Sequence, residues 1–565
     1  MTKKILAIFL ALLYSVVYAV LGPMIKTQNL EFDVAQLVPF VVCFVLCSAV
    51  NLVLFCVVPR WRCLLNSEKI SRFFDKIGDR RLFLFIWGFI FVAWIPAYLV
   101  FYPGVLSYDM LSQVGSALGE ITNNHHPILH TWLIRVFMQL GADWFSGYEY
   151  GLGLLSLLQM VVLSYALTRL VMLLKKKNVP ILIVIFTALF SAIWFMNACL
   201  SVTMIKDTLH AAFLVLFGCH FTEIVTNPSE YCGRKQNLVF LPIIAFFMCA
   251  FRNNGIHIYL FCFAVLLLLR ITQIKKAKKF VVLIVAILMP VFMYKIYTGP
   301  VFDALGIRQG EVREALSIPI QQLQRVAVIR ADELTDGQTE QMNYYIDNLE
   351  WRTWAPGREY NAFISDPAKS SFYSDHYNND PVAFWKFYLQ TGKQFTGEYV
   401  TAFLSNTVGY WYPGFYGYSF VMYDNYPPDM FAEPLERKSI GNLQIFENYY
   451  KSVCTSEFWR ETPVLRLFFV PGFTLWFLIY ALVLAWRKRG FFTKVLPLFL
   501  PLIAQYGIMI LSPMSSFRYS WPFYLILPLS FIGIFGRTES SMLEEKEIEI
   551  HAGEKNDAYS SEREN

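Results

Sequence analysis

The sequence predicts an all-α polytopic membrane protein with about twelve transmembrane helices and a mixed, largely helical extracytoplasmic lobe. Three observations predict it. Of the 565 residues 56% are apolar and only 16% charged, a balance foreign to soluble domains. Runs such as "LFLFIWGFIFVAWIPAYLV" and "LILPLSFIGIFG" approach the ~20 residues needed to cross hydrocarbon. The basic residues behind a net charge of +6 fall in short clusters between apolar runs, which marks membrane anchors and no nucleic-acid partner.

In chain order, residues 1–81 hold two spans (4–21 and 35–57) and a basic loop. "MTKKILAIFLALLYSVVYAV" reads as an uncleaved first span, and its cleavage as a signal peptide would leave the later topology unchanged. Residues 82–297 form a membrane core with spans at 82–101, 150–173, 179–198, 203–223, 237–251, 255–271 and 280–297, interrupted by an outer loop at 102–149. Residues 298–462 make the lobe, helical near 311–350 and then loop-like, rich in Tyr, Asn and Pro. Residues 463–536 carry three spans (463–485, 491–511, 521–536), and 537–565 read as a disordered cytoplasmic tail. Ten cysteines offer no disulfide framework, because most lie within or beside spans.

Parity follows from charge. A cytoplasmic N-terminus places Lys3, Lys4, Arg60, Arg62, Arg80, Arg81, Lys175, Lys176, Lys177, Arg234, Lys235, "KKAKK" (275–279) and "RKR" (487–489) inside, with the C-terminus on the same side. The remaining polar segments then face outward, and the candidate site is built from them.

In "YPGVLSYDMLSQ" the apolar residues Leu106, Met110 and Val114 recur at helical spacing, while Asp109, Gln113 and Ser116 share the opposite face. Ser107 and Asp109 also stand where a helix start takes an oxygen acceptor, so Asp109 reads either as a cap or as a functional carboxylate. "NNHHPILHT" places His125 and His126 ahead of Pro127, at the start of a membrane-hugging helix where exposed N–H groups favour anions. His126 and His130 have i, i+4 ligand spacing without an accompanying acid or cysteine; hydrogen bonding to substrate and ordinary capping are the competing readings.

"SVTMIKDTLH" puts Thr203, Lys206, Asp207 and His210 on one stripe of an apolar helix, where each charge is costly unless paired or facing a wet cavity. Either Lys206 and Asp207 pair with each other or snorkel at the interface, or Lys206 holds an anionic group at the cavity mouth. "FRNNGIH" brings Arg252, Asn253, Asn254 and His257 to an outer turn, and "SSFRYSWP" adds Arg518 and Tyr519. "IPIQQLQRVAVI" sets Gln321, Gln322 and Arg325 on one helix face, a set suited to phosphate and hydroxyl recognition or to plain solvation. Trp411, Tyr412, Phe415 and Tyr416 in "YWYPGFYGY" suit stacking on sugar faces, and more readily lobe packing.

"YPGVLSYD", "HHPILHT", "FRNNG", "IPIQQLQR" and "FRYSWP", in this order and on one side, resemble a bacterial multi-spanning family that looks like the GT-C superfamily of polyprenyl-phosphate-sugar glycosyltransferases. The resemblance covers about residues 82–536. It implies a GT-C-like core and inverting sugar transfer on the extracytoplasmic face of the cell membrane. The donor would be a polyprenyl-phosphate-linked sugar and the acceptor an envelope glycan or glycolipid. Asp109 matches the position of the family's base, with His126 beside it; Lys206, Arg252, Arg325 and Arg518 match a donor-phosphate site. The chain departs from the pattern in having two spans ahead of the acidic loop and no close acid beside Asp109, Glu120 lying about three turns on. No cofactor is certain from the resemblance, and a divalent cation is the one it leaves open. A transporter or flippase of lipid-linked glycans, and a surface-polysaccharide polymerase or ligase, are the alternatives that the same polar residues allow.

Overall fold

A computed structural model describes residues 3–30, 33–106, 109–275, 279–346, 360–415, 443–455, 461–486, 488 and 490–536. Tyr416, the 537–565 tail, and parts of the 275–279 and 487–489 clusters lie outside the described residues. The chain is an all-α protein: no strand occurs among the described residues, and the extended pairings there are isolated bridges.

Eight described helices are long and apolar enough to cross a membrane: Lys4–Thr27, Val34–Val58, Asp79–Val100, Tyr148–Lys176, Lys206–Thr226, Gly255–Thr272, Phe280–Ala304 and Phe491–Ile510. They make the protein polytopic. Where a continuous 179–198 span was expected, Ile181–Ile193 and Phe195–Ser201 meet at a 51° bend. The remaining expected spans fall on two shorter apolar helices, Lys235–Phe251 and Phe473–Ala485, and on the consecutive helices Phe517–Ile526 and Leu529–Phe535.

The Lys206–Thr226 helix occupies the centre, packed by Tyr148–Lys176, Lys235–Phe251 and Phe517–Ile526. Its most apolar window is 89% buried, against 17% for the peripheral Val34–Val58 helix. Protein on all sides explains why a helix carrying Lys206, Asp207 and His210 sits among spans: polar groups here meet partners instead of lipid. His210 Nδ1 donates to the Met248 carbonyl at 2.9 Å.

The lobe has a core of its own, in which Leu316, Ile320, Leu323, Phe384, Phe387 and Tyr399 are buried. Within 360–415 the chain forms the helices Asp366–Ser370, Ser374–Asn379, Pro381–Gln394 and Thr396–Trp411, where loop was expected. The reason is local. The Asp380 carboxylate accepts from the Ala383 N–H with Pro381 at the first helical position, and Phe384 and Phe387 then share a buried face.

Candidate functional site

Short backbone pairings bring segments distant in the chain together. The Val105 N–H donates to the Val202 carbonyl at 3.0 Å, and the Met204 N–H donates back to the Val105 carbonyl at 3.1 Å. That pairing ties the Tyr102 loop to the entry of the Lys206 helix, so Asp109 and Lys206 are delivered to one place. Gly104 allows the close approach: its φ is +142°, and a Cβ there would run into Ser156 Oγ. A second pairing joins the histidine loop to the lobe, with the Asn124 N–H on the Arg308 carbonyl at 2.8 Å and the Arg308 N–H on the Thr122 carbonyl at 2.9 Å. A third ties the Ser365 N–H to the Pro513 carbonyl at 2.8 Å, setting the lobe over the Arg518 turn.

Asp109 stands at the N-terminus of the Met110–Leu118 helix, but its side chain caps nothing. One carboxylate oxygen, Oδ2, instead accepts from Lys206 Nζ at 2.9 Å and from Arg518 Nη2 at 3.0 Å. The Asp109 side chain keeps 30% of its surface. Arg518 also reaches Asp207 Oδ2 through Nε at 3.2 Å, and Arg252 pairs with the Asp207 carboxylate from the other side. Both guanidiniums lie over the Tyr519 ring, at 5.2 Å for Arg252 and 4.8 Å for Arg518. Lys206 and Asp207 therefore take different partners, and the neighbour-pair reading of this stripe is not what the chain adopts.

Three cations face two carboxylates, leaving one surplus positive charge. Asp207 is fully buried and so functions as the internal counter-ion of the two arginines. Asp109 is different, because it is open to the cavity. Burial pushes its carboxyl up, but Lys206 and then Arg518 outweigh that and hold it well below the usual carboxylate range. His126 Nδ1 accepts from Lys206 Nζ at 3.4 Å, leaving Nε2 to donate to Ser112 Oγ at 3.2 Å. Burial, and next the Lys206 charge, lower this imidazole to about 3, so it is neutral at physiological pH.

These groups open into a cavity of about 730 Å³. Asp109, His125, His126, Lys206, Arg252, Asn253, Asn254, His257, Arg518 and Tyr519 all line it. Asp207 lies directly behind. The lobe supplies residues that the sequence reading did not single out: Glu311, Arg313, Glu314, Asp366 and Lys369 line the same space. Lys369 pairs with Glu314 at 2.6 Å and Asp366 at 2.8 Å, so this wall is an ion-paired surface. No local sequence signal marks these residues, since only the lobe's seating over the turn at Pro513 brings them to the cavity.

Other candidates lie elsewhere. Gln113 is buried and donates to Thr131 Oγ1 at 3.2 Å, behind the cavity wall. Gln321, Gln322 and Arg325 do not line the cavity. Arg325 is buried in the lobe, donating to Glu398 Oε2 at 2.8 Å and to Asn29 Oδ1 at 2.7 Å, while Gln321 and Gln322 donate to the Asn361 and Tyr399 carbonyls. The amide and guanidinium face expected to meet solvent or substrate is thus spent on internal partners. His126 and His130 also part company, because His130 is fully buried on the Ile128–Phe145 helix. Among the described residues no group of three or more His, Cys, Asp or Glu is placed to hold a metal ion. Trp411, Tyr412 and Phe415 pack with Tyr14, Val17 and Trp476, away from the cavity.

Residues 119–549 match the model of DUF6020, a family of unknown function. The chain belongs to this family. The matched stretch contains Lys206, Asp207, Arg252 and Arg518 and begins after Asp109. No curated protein and no solved structure matches the chain.

Proposed function

We propose that this protein is a GT-C-like membrane glycosyltransferase. It would move a sugar, with inversion, from a polyprenyl-phosphate donor to an envelope glycan or glycolipid on the extracytoplasmic face. In this reading the chain crosses the membrane twelve times with both termini cytoplasmic. The observation that carries it is the meeting of Asp109 with Lys206 and Arg518 at the floor of one polar cavity.

The chemistry follows from that geometry. Without donor, Asp109 is a weak base, because two cations stabilise its ionised form. A donor phosphate competes for those same cations. Once Lys206, Arg252 and Arg518 turn to the phosphate, the Asp109 carboxylate loses its partners and gains a negative neighbour, and both changes raise its proton affinity. Donor binding thereby creates the base. The acceptor hydroxyl attacks the anomeric carbon and its proton passes to Asp109. The bond from anomeric carbon to phosphate oxygen breaks, and the electron pair leaves with the polyprenyl phosphate, whose developing charge the cations stabilise. His126, neutral and accepting from Lys206, positions that ammonium. Asn253, Asn254, His125 and His257 offer hydrogen bonds to sugar hydroxyls.

The test is Asp109→Asn in purified protein with a synthetic lipid-linked donor. Turnover should fall by about 10²–10⁴, the range for loss of a general base. Wild-type turnover with an undamaged Asn variant removes Asp109 from the mechanism. Movement of lipid-linked sugar across vesicles without bond cleavage would favour the transporter reading.

A further inference from the structure

A second cavity, of about 750 Å³, lies at the far end of the central helix. Its lining includes Cys219 and Glu223, whereas Lys206 opens the same helix beside Asp109. The seventeen-residue step from Lys206 to Glu223 corresponds to about 26 Å of α-helix, close to the hydrocarbon thickness. The two cavities therefore sit at opposite membrane faces, and this one opens among Arg80, Lys175, Lys176 and Arg234, the basic side.

The charges around it are unevenly matched. Lys175 answers Asp75 and Asp79, each at 3.0 Å. Lys176 answers Glu223 at 2.8 Å, and Arg234 answers Glu230 at 2.9 Å. Every carboxylate that lines the cavity is thus already held by a lysine. Two guanidiniums stand outside these close pairs: Arg80, on the first turn of the Asp79–Val100 helix, and Arg169, half-buried on the Tyr148–Lys176 helix, which shares the Glu223 charge with Lys176. Neither makes a hydrogen bond or ion pair with a described residue. An exposed Arg80 alone is ordinary. Arg169 is half-buried in the cavity lining, where it feels the Glu223 charge but forms no hydrogen bond or ion pair with a described residue, so its planar donors are available to a ligand oxygen.

We infer that this cavity binds a phosphate group at Arg169 and Arg80. The planar donor fork of each arginine matches phosphate oxygens, and Ser71 and Asn178, also in the lining, extend the polar set. Phe83, Met172 and Ile181 add an apolar wall, which suits a phosphate carried on a lipid headgroup. A soluble phosphate compound shares the recognised chemistry. The site is independent of the sugar-transfer reading, since none of its residues touches the Asp109 cavity.

The experiment titrates the delipidated full chain with phosphatidylglycerol, phosphatidylcholine and inorganic phosphate, scoring adducts by native mass spectrometry. Phosphatidylglycerol should bind in preference to phosphatidylcholine, and Arg169→Gln should weaken it about tenfold, the worth of a charge-assisted hydrogen bond. Arg169→Lys, keeping charge without the fork, should fall between. Arg80→Gln gives a second reading at an exposed position should Arg169→Gln fold poorly. Inorganic phosphate that binds and displaces the lipid, with the same arginine dependence, identifies a soluble ligand at this site. Equal binding by wild type and both arginine variants overturns the inference. So does loss of binding on Lys206→Gln alone, which would assign the phosphate to the Asp109 cavity.

Discussion

Lys206 Nζ and Arg518 Nη2 converge on the same oxygen of Asp109, at 2.9 and 3.0 Å. Arg518 lies 409 residues along the chain from Asp109. A carboxylate so placed occupies the position that a phosphate would take, and the first prediction follows from that competition.

Asp109→Asn should separate binding from turnover. Removing the carboxylate frees two cations and removes a like charge, so a phosphate-headed donor should bind about tenfold more tightly or better. Turnover should fall at the same time. Equilibrium binding of the donor analogue, measured beside the rate, checks the pair; weaker binding would show that Asp109 does not compete with phosphate.

Arg518→Gln should damage the fold as well as the site. It strips one of the two arginines from Asp207, which is fully buried and has no route to water. Breaking a buried ion pair in this way costs about 3 kcal/mol. Lys206→Gln should cost about 1 kcal/mol or less, because Asp109 remains open to the cavity and keeps Arg518. Thermal unfolding in detergent distinguishes the two.

Acidification should act through His126 and Asp109 in the same direction. The folded pKa of His126 is about 3, below its ordinary 6.5, so the unfolded chain takes up the proton first. Its contribution to stability is present above pH 6.5 and is lost as pH falls from there toward 3. Asp109, with a depressed carboxyl, contributes above its ordinary pKa, and that contribution is lost at still lower pH. His126→Gln should therefore flatten the loss of stability between pH 7 and 5 by at most about 2 kcal/mol. Unfolding midpoints at the two pH values, for variant and wild type, provide the check.

Gly104→Ala should disable the site from a distance. The backbone there has φ +142°, and a Cβ would lie 2.9 Å from both Met204 Cε and the Val202 carbonyl besides meeting Ser156. The expected cost is about 2 kcal/mol. Any folded fraction should show weakened pairing of Val105 with Val202 and slower turnover, with hydrogen exchange at Val105 and Met204 as the structural readout.

Arg325→Met tests the reassigned helix face. Loss of its pairing with Glu398 should lower stability by about 3 kcal/mol, softened by Arg330, which donates to the same carboxylate at 2.8 Å. Under the proposed function, the donor KM of the folded protein should not change, since Arg325 does not line the cavity. A selective rise in KM would return Arg325 to the substrate site.

Much of the architecture was legible along the chain, because hydrophobic burial writes a local signature. Stretches such as 82–101 and 280–297 are apolar for some twenty residues, and the helices Asp79–Val100 and Phe280–Ala304 stand there. Charged residues in an apolar helix are equally conspicuous, so Lys206 and Asp207 stood out, as did Arg252 and Arg518 at turns between apolar runs. Where a sequence is merely mixed, the signal fades. The ion-paired wall at Lys369 and the inward turn of Arg325 leave no periodic mark, because each depends on a partner far along the chain.

The sequence by itself determined the helical class, the membrane environment and which polar residues needed an explanation, since transfer of side chains between water and lipid is a local property. Only the tertiary structure decided the pairings. It set Lys206 against Asp109 rather than Asp207, chose the cavity over the helix cap for the Asp109 side chain, and hid Arg325 from that cavity. A carboxylate has two oxygens and several cations within reach of its chain neighbours; which of them it meets is fixed by contacts such as Val105 on Val202, between segments that no local pattern connects.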